Sequence, residues 1–490
     1  MGRNEKIVVF DEEYDRRELG YYSTPTFIST FITKKMLEIN PNGKSALDPC
    51  VGKGEMIFNL YKSGIKIDGI DVHNHCNHKY CNFIQNDFIS FYKEKKCDLL
   101  MDQKINLSYD YYIANPPYNC HEIDYIKDNK KKLNSLFGKI GVHNMYSMFI
   151  SSMIDCAKEG SIIAFISADS FMTSRMHNPL RKQIIDECAI HYILLCPTDL
   201  FWDQKADVRT CIMILQKGKK FQQKIKTLNR PKNKDLLDLL LHKEDFNESN
   251  LESILNYSGK DQFEFVIDMP IEIKNLFENK RISDLFKCLT GISTGNDSKY
   301  ISKTKKNGFE IPFYKNPGNK KFYCENNGFI ANNYLEIDKK IKNFMVRNKS
   351  YMLKEGITCS SMGLTFGACY LPKNSTFGVN SNIFCSKKDI WWLIAYLNSS
   401  LVTYIVRGLL IRSNMITSGY VSKIPIIPLS EISKRKLSEL ASTSYKKKVT
   451  PKDSILIINK IDKILFEELK FSKKIETDIK HFSSNLQATV

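Results

Sequence analysis

The chain has 490 residues, 42% of them hydrophobic and 26% charged, which is too long for one ordinary domain and too apolar for a disordered protein. No stretch approaches the roughly 18 consecutive apolar residues of a membrane span. The opening MGRNEKIVVFDEEYDRRELG has acids where a secretory signal would be apolar, and the 14 cysteines follow no framework, so a cytoplasmic protein with reduced thiols is expected.

In chain order, the first 217 residues alternate short apolar runs with helical patterns, which predicts an α/β fold with a mostly parallel sheet covered by helices. A helix is expected at Phe27–Leu37, and strands at Ser45–Asp48, Lys66–Asp71, Asn82–Gln85, Tyr111–Ala114, Ser161–Ser167, His191–Leu195 and Thr210–Leu215. Helices are expected between them at Glu55–Ser63 and Met145–Lys158, the second stopped by Gly160. The basic stretch Gly218–Lys234, with Pro231, reads as a linker. Residues up to about 430 mix strands with Gly/Asn/Ser turns, and after Pro428 come helices, including Ser454–Leu469.

Charge is divided unevenly. Of the 72 Lys and Arg and 54 Asp and Glu (net +18), residues 221–490 hold 43 basic and 27 acidic, so +16 of the net belongs there. Two runs lack acids, Val208–Lys234 and Ile390–Ser430. Phosphate contacts need uncompensated cations, so Lys219, Lys220, Arg407 and Arg412 are candidates for DNA or RNA contact. The competing readings are a solvated linker for the first run and an apolar core for the second.

The residues that carry chemistry lie in the near-neutral part. Asp48-Pro49-Cys50-Val51-Gly52-Lys53-Gly54 follows a strand and opens a helix, and its glycines let the backbone turn sharply beside a ligand. Asp71 ends the next strand, where an acid typically takes the ribose hydroxyls of an adenosine. Asp87, with Phe88, follows the third strand at a place that faces an adenine ring. Three acids at successive strand ends describe an adenosine pocket.

Asn115-Pro116-Pro117-Tyr118, after the fourth strand, is the most specific motif. Two prolines remove two backbone donors and fix the chain, leaving the Asn115 amide and the Pro116 carbonyl as paired acceptors. Such a pair holds both hydrogens of an exocyclic amine and aims its lone pair at an electrophilic methyl, while Tyr118 offers a face for a base.

On these residues the chain resembles the gamma-class, TaqI-like N6-adenine DNA methyltransferases of restriction-modification systems, well over residues 20–217 and more loosely over 280–430. The resemblance implies a Rossmann-like S-adenosylmethionine-dependent catalytic domain over residues 1–217, a basic linker over 218–240, an α+β DNA target-recognition domain over 241–430 and a helical tail over 431–490. It places Thr24 (of Thr24-Pro25), Asp48, Pro49, Cys50, Gly52, Gly54, Asp71, Asp87, Phe88 and Pro117 at S-adenosylmethionine. It also places Asn115, Pro116 and Tyr118 at the target adenine, with Phe201, or else its neighbour Trp202, on the base's other face. Double-stranded DNA is the implied partner in a prokaryotic or phage-encoded protein, and a separately encoded restriction endonuclease stays open. Gly291–Gly295, Val379–Asn382, Leu397–Ser399 and Tyr420-Val421 resemble pieces of the family's recognition domains.

Other readings weigh less. His73, His75, Cys76, His78 and Cys81 crowd one segment without a distant partner pair, so no metal is expected. Gly43-Lys44-Ser45 lacks the first glycine of a phosphate loop, Glu38 standing in its place. Cys50 sits in the cofactor loop and not at the target base, against a cytosine-5 nucleophile. Asp268 with Glu272-Ile273-Lys274 is too common a pattern for a nuclease core. The functional alternatives are an RNA adenine or protein-glutamine methyltransferase using the same Asn-Pro-Pro-Tyr site, and a non-catalytic DNA specificity subunit.

Overall fold

A computed structural model of the chain describes residues 8–9, 14–15, 20–97, 109–119, 124–206, 208–256, 263–363, 365–411 and 415–488. Among them the chain divides into two compact units, one ending at Asp268 and one beginning at Met269.

The first unit is built on nine strands: β1 (Ser45–Asp48), β2 (Lys66–Asp71), β3 (Asn82–Gln85), β4 (Tyr111–Ala114), β5 (Ile162–Ala168), β6 (Cys188–Leu195), β7 (Thr210–Lys217), β8 (Ile225–Leu228) and β9 (Asn247–Ser249). They lie in the order β9-β8-β6-β7-β5-β4-β1-β2-β3. Neighbours from β3 to β5 are parallel, whereas β7 runs antiparallel between β5 and β6.

Side chains alternate across this sheet as a two-residue period requires. Ala46, Tyr111, Ile113, Ala164 and Ile166 pack on one face with Ile28, Ile32 and Met36 of the helix Thr26–Ile39 and Leu60 of Phe58–Lys62. Leu47, Tyr112, Ala114, Ile163 and Phe165 pack on the other with Phe88, Ile89 and Tyr92 of Phe88–Cys97 and Met148 and Met153 of Met145–Cys156. The chain proceeds outward from β1 to β3 in one direction and from β4 to β5 in the other. The order therefore reverses between β1 and β4, where open α/β sheets leave a crevice at the carboxyl ends of the strands.

The α/β expectation and the first four strands agree with the structure residue for residue. The helix expected over Glu55–Ser63 is confined to Phe58–Lys62. Gly52 (φ +51°) and Gly54 (φ +89°) adopt left-handed conformations, so the segment before Phe58 turns and does not wind.

The segment expected as a linker is folded into the first unit. Ile225–Leu228 forms β8, parallel to β6, and Asn233 caps a helix, Lys234–Lys243, whose Leu237 and Leu241 enter the core. The segment's cations find acids distant in sequence: Lys220 with Glu159 (3.4 Å), Lys226 with Glu248 (2.5 Å) and Lys234 with Asp203 (2.6 Å). Arg230 bonds the buried Asp169 and the Cys196 carbonyl. The expected boundary at 217 moves to Asp268 for the same reason.

The second unit holds two four-stranded sheets, one formed by Lys287–Leu289, Asn382–Phe384, Gly356–Cys359 and Ala368–Leu371, the other by Ile301–Ser302, Gly328–Ile330, Ile311–Tyr314 and Thr376–Phe377. Residues 431–488, expected as a tail, are part of its body. Glu431–Lys446 packs along Lys387–Leu397, and the buried Asp462 of Pro451–Leu469 accepts from the Ser400 amide at 2.9 Å. No single helix among the described residues is long and apolar enough to cross a membrane.

Candidate active site

The carboxyl ends of β1 to β4 converge on one cleft of about 240 Å³. Of the residues expected at a cofactor, Pro49, Cys50, Gly52, Asp71, Asp87, Phe88 and Pro117 line it, with Asn115. Tyr21, Tyr125, Met145 and Phe149 complete walls that are largely apolar and aromatic.

The loop after β1 is held by its own polar groups. The Asp48 carboxylate accepts from the Cys50 amide (3.0 Å), and the Gly52 amide donates to Asp71 (2.9 Å), whose other oxygen accepts from the His73 amide (3.1 Å). Asp48 is only 1% exposed and does not line the cleft, so it shapes the loop from behind. Burial, with the Asp71 charge nearby, holds its carboxyl well above the usual carboxylate range. Burial pushes the Cys50 thiol up as well, which keeps it protonated and argues against a nucleophile.

Asp87 follows β3 and caps the helix Phe88–Cys97. Its oxygens accept from the amides of Ile89 (3.1 Å) and Ser90 (3.3 Å), the Ser90 hydroxyl (2.7 Å) and the Tyr125 hydroxyl (2.7 Å). Four donors fix this carboxylate at the cleft wall.

Asn115 leaves β4 at the cleft edge. Its carboxamide nitrogen donates to the Tyr22 carbonyl (2.6 Å) and to the Thr24 hydroxyl (2.9 Å). Both amide hydrogens are thereby used, and Oδ1 remains as the side chain's acceptor. Thr24, expected at the cofactor, is buried against Asn115 and does not line the cleft; neither do Gly54, Pro116 or Tyr118.

The aromatic residues form a cluster beside Asn115. Tyr22 stacks on Tyr118 with centroids 5.0 Å apart and planes at 23°, and lies 5.5 Å from Phe201 at 57°. Tyr118 and Phe201 are 6.4 Å apart at 73°. Phe201 is 0% exposed, whereas Trp202 is 61% exposed. The segment carrying Tyr22 is tied down on both sides. The Gln204 side chain pairs with the Ser23 backbone, accepting at 2.9 Å and donating at 2.8 Å, and Glu55 accepts from the Ser23 hydroxyl (2.9 Å) and the Tyr21 hydroxyl.

Sequence reasoning missed Tyr21, Tyr22, Ser23, Glu55 and Gln204. The aromatic pair Tyr21-Tyr22, separated from Thr24-Pro25 by Ser23 alone, is the available signal. Gln204 had none, being 181 residues from the segment it holds.

Of the expected DNA contacts, Lys219 and Lys220 are exposed on the first unit. Arg407 is half-buried and bonds the Gly363 carbonyl, and Arg412 lies outside the described residues. The expected recognition motifs contain asparagines that serve the fold. Asn380 donates to Thr358 (2.7 Å) and the Cys359 carbonyl (3.0 Å), and Asn398 bonds the Ala368 backbone in both directions; both are buried. Among the described residues no three His, Cys, Asp or Glu side chains converge as a metal site requires.

A family model described as N-6 DNA Methylase matches residues 10–280. The chain is 28% identical over 215 residues to Type II methyltransferase M.BanIII of Aneurinibacillus aneurinilyticus, which covers 38% of this chain and 37% of that protein. It is 27% identical over 188 residues to modification methylase CviBIII of Paramecium bursaria Chlorella virus NC1A, covering 36% and 44%. The chain thus spans less than half the length of either relative. Among solved structures, Type IIL restriction-modification enzyme MmeI, in a complex with DNA, aligns with a TM-score of 0.56 at 12% identity, covering 97% of this chain and 80% of that one; the likeness is one of fold.

Proposed function

We propose that this chain, which belongs to the N-6 DNA Methylase family, is a site-specific DNA adenine N6-methyltransferase that uses S-adenosylmethionine and is of the gamma-class kind. The observation that carries the reading is the state of Asn115: both amide hydrogens are engaged, so its free oxygen stands as an acceptor at the edge of an acid-lined cleft.

The cleft suits S-adenosylmethionine. Asp71 and Asp87 would offer carboxylates to ribose hydroxyls and adenine, Phe88, Tyr125 and Phe149 would supply apolar walls, and the left-handed Gly52 carries no Cβ, which would press on the Tyr21 ring of the same cleft at 2.9 Å. When bound, the cofactor supplies an electrophilic methyl on a sulfonium.

The chain's own contribution is orientation and charge. Asn115 Oδ1, with the neighbouring Pro116 carbonyl, would accept both hydrogens of an exocyclic amine and direct its lone pair into the cleft. Positive charge grows on that nitrogen during transfer, and acceptors held in place beforehand stabilise it more than the neutral amine. An N6 amine inside a duplex must be swung out, at a cost of a few kcal/mol. A face on Tyr118, worth roughly 1–3 kcal/mol per stacked base, offsets that cost. The excess of +16 in residues 221–490 suits the phosphate backbone of duplex DNA.

Incubating the purified chain with tritiated S-adenosylmethionine and unmethylated duplex DNA should place the label in N6-methyladenine. Asn115→Ala should lower transfer by about 100-fold or more with cofactor binding retained. Label in N4-methylcytosine, or only in RNA or protein, would overturn the reading.

A further inference from the structure

We propose that the Tyr22 ring and the target base compete for one face of Tyr118, Tyr22 holding the place that the base takes. The proposal rests on the reading of the site as one that receives an extruded adenine. The Tyr22 ring lies on Tyr118 at 5.0 Å and 23°, which is the offset-stacked arrangement a nucleobase adopts on an aromatic side chain. It also contacts Phe201, the second ring expected at the base. A planar base cannot share that face with the phenol, so one excludes the other.

The backbone shows how the exchange leaves the catalytic amide undisturbed. The Tyr22 carbonyl, not its ring, holds Asn115 at 2.6 Å. Gln204 clamps the Ser23 backbone in both directions and Glu55 holds the Ser23 hydroxyl, so the chain on the far side of Tyr22 is anchored independently of the ring. Rotation about the Tyr22 side-chain bond removes the ring while its carbonyl and Thr24 keep Oδ1 of Asn115 aimed into the cleft. Tyr22 is then a selectivity residue, since only a base that stacks on Tyr118 better than the phenol displaces it. Gln204 is a positioning residue, acting on Asn115 through the Ser23–Thr24 backbone.

Two variants separate these roles. Tyr22→Ala removes the ring and keeps the carbonyl; because apparent affinity scales with the fraction of molecules open to the base, KM for unmethylated duplex DNA should fall roughly three- to tenfold. Gln204→Leu releases the clamp and should lower kcat instead. If the alanine variant does not fold, Tyr22→Leu, which keeps Phe201 covered without a flat face, should shift KM in the same direction. A KM that rises on loss of the ring would make Tyr22 part of the wall that binds the base and would overturn the proposal. A second measurement is independent of methyl transfer: 2-aminopurine riboside, whose fluorescence is quenched by stacking, should be quenched by Tyr22→Ala more than by the wild type, and not by Tyr22→Ala with Tyr118→Ala. Equal quenching by wild type and Tyr22→Ala would sink the competition, whereas absence of methyl transfer by the wild type would sink only the methyltransferase reading.

Discussion

The Thr24 hydroxyl accepts a hydrogen bond from the Asn115 carboxamide at 2.9 Å, joining two residues 91 positions apart. The Thr-Pro element thereby orients the amide of the Asn-Pro-Pro-Tyr motif, a different task from contact with the cofactor. Thr24→Val keeps the shape and removes the acceptor. A hydrogen bond of about 1 kcal/mol corresponds to roughly a fivefold loss of kcat, with KM for S-adenosylmethionine nearly unchanged. Thr24→Ser should restore most of the rate. Steady-state kinetics with tritiated cofactor measure both, and a loss confined to cofactor KM would return Thr24 to the cofactor.

Asp48 is buried among other acids, with its carboxyl held above its ordinary range chiefly by burial. For an acid whose folded pKa is raised, the native state retains a proton that the unfolded chain gives up, so stability falls as pH rises above the ordinary carboxylate value. Asp48→Asn keeps an acceptor for the Cys50 amide and removes that loss. Its melting temperature should exceed that of the wild type at pH 7, and the gap should close as the pH approaches 4. A variant less stable at pH 7 would show that the Asp48 charge supports the loop.

Asp87 combines a helix cap with a place on the cleft wall. Asp87→Ala should cost about 1 kcal/mol of stability from the lost cap. It should also weaken S-adenosylmethionine binding, because Tyr125 loses its acceptor. Asp87→Asn retains capping oxygen and should recover the stability. Thermal unfolding and equilibrium dialysis of labelled cofactor read the two effects separately.

His177 is buried beside the Tyr146 hydroxyl at 3.1 Å, and burial, with Arg181 nearby, lowers its pKa to about 3. The unfolded chain then binds a proton that the native state refuses between about pH 6.5 and 3, so stability declines as pH falls through that window. One such group contributes a slope of up to about 1.4 kcal/mol per pH unit. His177→Gln should flatten the decline, seen as urea midpoints at pH 7 and pH 5 that differ less than in the wild type.

Much of the first unit is legible in the sequence. Strands β1 to β4 appear in the sequence as short apolar runs ended by Asp48, Asp71, Gln85 and Ala114, and the chemistry follows directly after each. Period-two burial and turn residues act over a few positions, so a reader of the chain sees them. The basic run 218–234 reads as a linker in the sequence because its charge balance is not local: Glu159, Asp203 and Glu248 reach its lysines only once the sheet has formed. Asn380 and Asn398 lie in stretches that resemble recognition-domain motifs, yet both side chains bond groups buried inside the second unit.

The linear sequence by itself determined the order of the elements, the turn after β1 and the rigid Asn-Pro-Pro-Tyr corner, because these depend on backbone restriction and local periodicity. Only the tertiary structure decided which way the Asn115 amide faces, that Thr24 serves it, and that Tyr22 lies on Tyr118 under the hold of Gln204. Those outcomes depend on which hydrogen-bond partners and ring faces distant segments bring within about 3 to 5 Å, a distance that no spacing in the chain encodes.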